Sequence, residues 1–215
     1  MKKRIVLLGP PASGKGTQAE MIKDRFQIEP TSPGAMLRDE MRRGTPLGIE
    51  ADSYTSHGQL VPDSLVIELV KSWLETHDGS FVFDGFPRTI AQAEALESIL
   101  AARNTPLEVA FFFEIRVERI RERVLNRVSC EECGRIFGAG FHFDSARQAC
   151  PVCSGKLIRR KDDTLEALEQ RMEEYRQKTE PLVKFYRQRG ILHELCADAR
   201  PETVFSEIST VLEAA

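Results

Sequence analysis

A loop suited to binding phosphate follows the first apolar run of the chain, residues 5–8. Residues 9–17 read Gly-Pro-Pro-Ala-Ser-Gly-Lys-Gly-Thr and contain the spacing Gly-x-x-x-x-Gly-Lys. In such a loop the backbone N–H groups point at an anion, the following helix adds the positive end of its dipole, and Lys15 supplies a mobile charge. The sequence therefore predicts a site for a phosphorylated ligand. Gly16 separates Lys15 from Thr17, whereas Ser or Thr usually follows the lysine directly.

Arginines near predicted turns and helix ends are a second set of phosphate-binding candidates. Transfer of a phosphoryl group between two nucleotides brings several phosphates together, and planar guanidinium groups neutralise the charge on their oxygens. Six residues fit this role: Arg38, Arg88, Arg123, Arg127, Arg160 and Arg171. We interpret Arg103, Arg119 and Arg121 as solvated charges on helix faces.

Asp84 ends the second apolar run of the predicted sheet. A carboxylate at the end of a buried strand is costly unless it meets a cation or metal-bound water. Magnesium usually keeps several waters and bridges phosphates, so it needs few protein ligands. We therefore expect Asp84 to serve a Mg²⁺ ion that accompanies the nucleotide. The structural alternative is that Asp84 caps the next turn.

Four of the five cysteines form two Cys-x-x-Cys pairs, Cys130 with Cys133 and Cys150 with Cys153, separated by sixteen residues. Four thiolates at this spacing suit a closed, tetrahedral, structural Zn²⁺ site. Disulfides are disfavoured in a reducing cytosol. The alternative is a cysteine cluster that binds no metal. Cys196 stands apart and is expected to be a small core residue.

These groups need a scaffold, and the apolar pattern predicts a parallel α/β sheet. Buried strands are predicted at residues 3–8, 81–84, 109–115 and 191–195, and helices at 14–26, 89–102, 116–128, 163–188 and 201–213. Residues 31–77 are predicted to form a helical insertion, punctuated by Gly and Pro. Residues 129–160, rich in Gly and Cys, are predicted to form a second insertion with a small β-ribbon.

Composition limits the class of protein. The 215 residues are 41% hydrophobic, which is enough for a substantial core. A net charge of −3 and a pI of about 5.9 provide no overall basic field for nucleic acid. The apolar run after the basic residues 1–4 is too short for a secretory signal, and no segment reaches the apolar length of a membrane span. We therefore expect a cytoplasmic protein without nucleic-acid or membrane partners.

Five short motifs together resemble the adenylate kinases of the long type. They are Gly-Lys-Gly-Thr-Gln-Ala at residues 14–19, Gly34-x-Met-Leu-Arg38, Gly58-x-Leu-Val-x-Asp63, Asp84-Gly-Phe-Pro-Arg-Thr89 and Arg160-Lys-Asp-Asp163. The resemblance implies a three-layer P-loop NTPase core at residues 1–31, 62–127 and 161–215. It also implies a helical domain for nucleoside monophosphate at 32–61 and a zinc-ribbon lid at 128–160. The implied reaction is Mg·ATP + AMP ⇌ 2 ADP, carried out by a monomer without a covalent intermediate.

The same resemblance assigns residues to three groups by position. The catalytic group comprises Lys15, Asp84, Arg88, Arg123, Arg160 and Arg171. The ATP group comprises Ala12, Ser13, Gly14, Lys15, Gly16, Thr17, Arg123, Arg127, Ile136, Phe137, Ala199 and Arg200. The AMP group comprises Pro33, Arg38, Gln59, Leu60, Val61, Gly85, Phe86, Pro87, Arg88, Gln92, Arg160 and Arg171. The Gln92 carboxamide is expected to pair with the donor and acceptor edge of adenine; alternatively, Gln92 is an ordinary exposed helix residue.

Three departures from the family pattern bear on the choice of substrate. Pro33 and Ala35 stand where the family has Thr and Asp, and Ala12 stands where it has Gly. Pro33 cannot donate a backbone N–H, Ala35 cannot cap a helix, and Ala12 disfavours a left-handed backbone. These departures predict weaker AMP affinity or a broader choice of acceptor. Two alternatives stay open: a kinase of UMP or CMP, and a catalytically weakened nucleotide-binding protein that uses its zinc ribbon to bind nucleic acid or a partner.

Overall fold

The computed structural model describes residues 1–55, 61–77, 79–133, 135–138, 149–159 and 164–214. Its strands are β1 (Arg4–Leu8), β2 (Pro30–Thr31), β3 (Phe81–Asp84), β4 (Val109–Glu114), β5 (Val128–Cys130), β6 (Ile136–Phe137), β7 (Leu157–Ile158) and β8 (Leu192–Cys196). Its α-helices are α1 (Lys15–Phe26), α2 (Pro33–Arg43), α3 (Pro46–Thr55), α4 (Asp63–Thr76), α5 (Ile90–Ala102), α6 (Val117–Leu125), α7 (Leu165–Glu174), α8 (Pro181–Gln188) and α9 (Pro201–Glu213). None of the helices traced in these ranges combines the length and apolar character needed to cross a membrane.

The larger sheet of the described residues is parallel, with the strand order β2-β3-β1-β4-β8. β1 is central, with Leu7 paired to Asp84 of β3 and Leu8 paired to Phe112 of β4. The chain adds β2 and β3 on one side of β1, then β4 and β8 on the other. In such a sheet, ligands bind outside the carboxyl ends of the strands where the order reverses. The predicted α/β fold is confirmed, and the loop after β1 lies at this reversal.

Helices cover both faces of this sheet because the residues of β1 alternate between two hydrophobic clusters. Ile5 and Leu7 belong to the cluster that includes α1 and α9. Val6 and Leu8 belong to the cluster that includes α4, α5 and α8. Residues 5–8 are at most 2% exposed, so both ends of the loop from β1 to α1 are anchored in a close-packed interior.

The helical insertion starts with a cap that the sequence analysis did not foresee. The Ser32 Oγ accepts a hydrogen bond from the Ala35 N–H at 3.2 Å. Pro33 occupies the first position of α2, where a missing N–H breaks no helical hydrogen bond. Pro33 and Ala35 therefore begin α2 without the loss of a cap.

Three other features refine the predicted elements. β5, β6 and β7 form an antiparallel sheet in the order β6-β5-β7, as expected for the ribbon of the second insertion. The helix predicted at 163–188 is divided by a π-helical segment, Tyr175–Thr179, between α7 and α8. Cys196 ends β8 and is exposed, so its placement in the core is wrong. β8 is the edge of the sheet and pairs only with β4 among the described strands.

Candidate nucleotide site and cysteine cluster

A cavity of about 830 Å³ lies at the carboxyl ends of the central strands. It is lined by the whole predicted ATP group: Ala12, Ser13, Gly14, Lys15, Gly16, Thr17, Arg123, Arg127, Ile136, Phe137, Ala199 and Arg200. Asp84 also lines it. These residues come from the loop after β1, from α6 and the ribbon that follows it, and from the turn after β8. The volume is in the range of small-molecule sites in proteins.

Lys15 is held by the loop that precedes it. Its Nζ donates to the Gly9 carbonyl at 2.9 Å, to the Pro10 carbonyl at 2.8 Å and to the Ser13 Oγ at 3.2 Å. Burial lowers the pKa of Lys15 from 10.5 to about 8; the Asp84 carboxylate opposes this shift and Arg88 adds to it. The site is therefore one in which a positive charge is poorly solvated and a bound polyanion would stabilise it.

Binding of Mg·ATP is expected to take up protons near pH 8. With a pKa of about 8, roughly half of the free protein carries the Lys15 proton at pH 8, and phosphate charge raises that pKa. Uptake is then about 0.5 proton per nucleotide at pH 8 and about 0.1 at pH 7. Titration calorimetry in two buffers of different ionisation enthalpy measures it. Lys15→Arg keeps a charge that does not titrate in this range, and equal uptake by this variant would contradict the assignment.

Arg123 ties the loop to the turn after β8. Its guanidinium donates to the Ser13 carbonyl at 2.9 Å, to the Ala12 carbonyl at 3.4 Å and to the Ala197 carbonyl at 2.6 Å. Burial, followed by the neighbouring Arg119, lowers the pKa of Arg123. Ala12 itself adopts the left-handed conformation, with φ of 57°, that its side chain disfavours. The loop thus keeps a glycine-like backbone at a position where this chain has alanine.

Arg119 is a cavity residue that the sequence analysis missed. It was expected to be a solvated charge, yet it is half-buried, lines the cavity and pairs with Glu122. Its Nε also lies 3.9 Å from the Asp198 carboxylate. Arg119, Arg123 and Arg127 recur at intervals of four residues, and this repeat on one helical face was the available signal.

Asp84 lies where a carboxylate can serve a metal ion bound with phosphates. It is the last residue of β3, and its Oδ2 would be 3.5 Å from a Cβ placed on Gly16. The carboxylate therefore faces the first turn of α1, next to Lys15 and Thr17. An oxygen donor in this position fits Mg²⁺, which binds oxygen ligands and retains waters.

Among the residues that the structure describes, no member of the predicted AMP group lines this cavity. Arg88 donates from its Nε to the Gly85 carbonyl at 2.8 Å and from its backbone N–H to the Gln92 Oε1 at 2.8 Å. Gln92 is 4% exposed, so its interpretation as an exposed helix residue is wrong. Phe86 is buried against Phe83 in the core.

The other described members of the AMP group lie on several different elements. Pro33 and Arg38 lie on α2, Val61 precedes α4, Pro87 is buried beside Phe86, and Arg171 lies on α7. Gln59, Leu60 and Arg160 lie outside the described residues.

The four paired cysteines converge at one point of the ribbon. Their sulfur atoms all lie within 4.8 Å of one another, with 3.4 Å between those of Cys130 and Cys153 and 3.7 Å between those of Cys133 and Cys150. Zinc–sulfur bonds of about 2.3 Å in a tetrahedron place the sulfurs roughly 3.8 Å apart, so the cluster fits zinc. A Cβ on Gly155 would lie 2.5 Å from the Glu132 Cγ and 3.0 Å from the Cys130 Sγ, which explains why a glycine follows the second cysteine pair.

Comparison of the sequence with known proteins assigns the chain to one family. The sequence model of the family "Adenylate kinase" matches residues 7–191. The chain belongs to the adenylate kinase family. Among its relatives, the adenylate kinases of Clostridium tetani and Clostridium botulinum (strain Loch Maree) are each 42% identical to it, over 98% and 97% of this chain and 98% of each relative. That of Thermodesulfovibrio yellowstonii is 38% identical over 98% of this chain and 99% of the relative.

Membership in the adenylate kinase family makes the chain a nucleoside monophosphate kinase. The comparisons favour neither a kinase of UMP or CMP nor a catalytically weakened nucleotide-binding protein. The four-cysteine cluster supports the zinc-lid type within this family.

Removal of zinc from this member of the adenylate kinase family is expected to lower the melting temperature without unfolding the core. A metal present at 1,000 times its dissociation constant contributes about 4 kcal/mol, which corresponds to a shift on the order of 10 °C for a chain of this size. Thermal melts with and without a strong chelator, combined with metal analysis, measure the effect. Cys196→Ser should retain the parent response and Cys130→Ser should lose it. An unchanged melting temperature after complete metal removal would refute a structural zinc.

Proposed function

We propose that this protein catalyses the reversible transfer of the γ-phosphoryl group of Mg·ATP to AMP, producing two molecules of ADP. The observation that carries the proposal is the convergence of Lys15, Asp84 and Arg123 on one cavity. Arg88 and Gln92 lie within eight residues of Asp84, the last residue of β3, and therefore near the end of the strand that reaches the cavity. The relatives named above bear the name adenylate kinase, which supports the same substrates.

In the proposed reaction, a phosphate oxygen of AMP attacks the γ-phosphorus while the bond to the β,γ-bridging oxygen breaks. The N–H groups of the loop and the Lys15 ammonium bind the ATP phosphates, and Arg88 and Arg123 stabilise charge on the transferring group. Asp84 would help to hold Mg²⁺, and the ion would supply positive charge that neutralises the phosphates. Arg160 and Arg171 are proposed to complete the arginine set.

The proposed organisation divides the chain into a core at 1–31, 62–127 and 161–215, a domain for nucleoside monophosphate at 32–61 and a lid at 128–160. Closure of the lid would exclude water that otherwise hydrolyses ATP. The protein is proposed to act as a monomer. We also propose that the protein is cytoplasmic, because its proposed substrates ATP and AMP are found there.

Acceptor profiling tests the proposal. Steady-state rates of ADP formation are measured with AMP, CMP, UMP and GMP at saturating Mg·ATP. A strong preference for AMP is expected. A preference for UMP or CMP would assign the chain to another nucleoside monophosphate, and no transfer to any acceptor would favour the weakened binding protein. The KM for AMP, compared with that of a relative, tests whether Pro33, Ala35 and Ala12 weaken the enzyme.

A further inference from the structure

A half-buried carboxylate holds the side chain that is proposed to recognise the acceptor base. Asp63 is the first residue of α4. Its Oδ2 accepts a hydrogen bond from the Thr89 hydroxyl at 2.7 Å, and its Oδ1 accepts one from the Gln92 Nε2 at 2.7 Å. Thr89 is the cap of α5, and its Oγ1 accepts from the Gln92 N–H at 3.2 Å. One carboxylate therefore connects the start of α4, the cap of α5 and the Gln92 amide.

The two contacts of the Gln92 amide allow only one orientation. Its Nε2 donates to Asp63, a carboxylate that can only accept, and its Oε1 accepts from the Arg88 N–H, which can only donate. If the amide were turned over, its Oε1 would face the Asp63 carboxylate, acceptor against acceptor. Its Nε2 would face the Arg88 N–H, donor against donor. Because Gln92 is 4% exposed, water cannot readily compensate for these losses.

A fixed amide offers a fixed pattern to a ligand. After these contacts, Gln92 retains one Nε2–H donor and one lone pair on Oε1. Adenine presents an exocyclic amine donor next to the N1 acceptor, so the amide oxygen can accept and the amide nitrogen can donate. A 6-oxo purine presents an acceptor next to an N1–H donor, which is the reverse pattern. An amide that cannot turn over discriminates between these bases.

We propose that Asp63 is a positioning residue which, by fixing the Gln92 amide, makes the acceptor site selective for a base with a 6-amino group. The inference deepens the proposed function and rests on it. Asp63 acts through Gln92 and is assigned no contact with substrate.

The test compares AMP with IMP as acceptors for the parent protein and for Asp63→Asn. Asparagine is nearly isosteric but can donate as well as accept, so it removes the constraint on one end of the amide. The ratio of kcat/KM for AMP to kcat/KM for IMP is expected to fall about tenfold, the equivalent of one mispaired hydrogen bond. A general loss of structure would lower both rates together and leave this ratio unchanged. Glu68→Gln, on the same helix, is the matched control and should keep the parent ratio.

A double-mutant cycle tests the route through Gln92. In a Gln92→Leu background, Asp63→Asn should change the ratio no further, and an equal fall in that background would overturn the proposal. An unchanged ratio in Asp63→Asn alone would also overturn it. If Asp63→Asn does not fold, Asp63→Ser, whose hydroxyl donates and accepts, replaces it. A parent protein that does not phosphorylate AMP rejects the proposed function instead, which separates the two failures.

Discussion

Lys15→Met is expected to lower kcat/KM for ADP formation by about 10²–10³-fold. The substitution keeps most of the apolar stem but removes the ammonium that the Gly9 and Pro10 carbonyls hold at the base of the cavity. Burial lowers the pKa of Lys15 to about 8 in the folded state, so stability falls as the pH drops from 10.5 to 8, because the unfolded chain takes up a proton there that the folded chain does not. The variant lacks that cost and should melt within a few degrees of the parent.

Lys184→Met is the matched control because Lys184 is an exposed residue of α8. It should retain the parent rate in a coupled assay of ADP formation. More than one tenth of the parent activity in a folded Lys15→Met protein would contradict the assigned role.

Arg123→Lys is expected to lower kcat about 10²-fold although the charge is conserved. The planar guanidinium reaches the Ser13 and Ala197 carbonyls at the same time. A lysine ammonium at the end of a flexible stem cannot reproduce this fork. Loss of one carbonyl partner should also lower the free energy of unfolding by about 1–2 kcal/mol.

Separate measurement of kcat, of KM for ATP and of KM for AMP shows whether the substitution slows catalysis or weakens substrate binding. Denaturant unfolding measures the change in the free energy of unfolding. Arg121→Lys, an exposed position two residues earlier on the same helix, is expected to behave like the parent. Equal losses of activity at positions 121 and 123 would contradict a role that is specific to the Arg123 contacts.

The main elements of the fold and the lining of the cavity were predictable from sequence because their signals are local. The apolar run before Gly9, the loop spacing and the Cys-x-x-Cys pairs lie within short segments, and the structure places each as expected. β2 was not predicted because two residues, Pro30 and Thr31, carry no periodicity. Their pairing depends on β3, about 50 residues later in the chain.

Features set by contacts between distant segments were mispredicted. Arg119 enters the cavity because the turn after β8 brings Asp198 beside it. Cys196 belongs to an apolar run, but it is exposed because β8 is an edge strand of the sheet. Gln92 meets Asp63 through the packing of α4 on α5, a contact between residues 29 positions apart in the chain.

The π-helical segment Tyr175–Thr179 determines the rotational phase between α7 and α8. Each α-helical residue turns the chain by about 100°, and a π-helical turn accommodates one additional residue. The Thr179 hydroxyl donates to the Arg88 carbonyl at 3.0 Å, and α8 is anchored in the core by Leu182 and Tyr186. Removal of one residue from the segment would restore a continuous α-helix and rotate Arg171 by about 100° around the helix axis. The rotational position of Arg171 relative to α8 therefore depends on the number of residues in this segment.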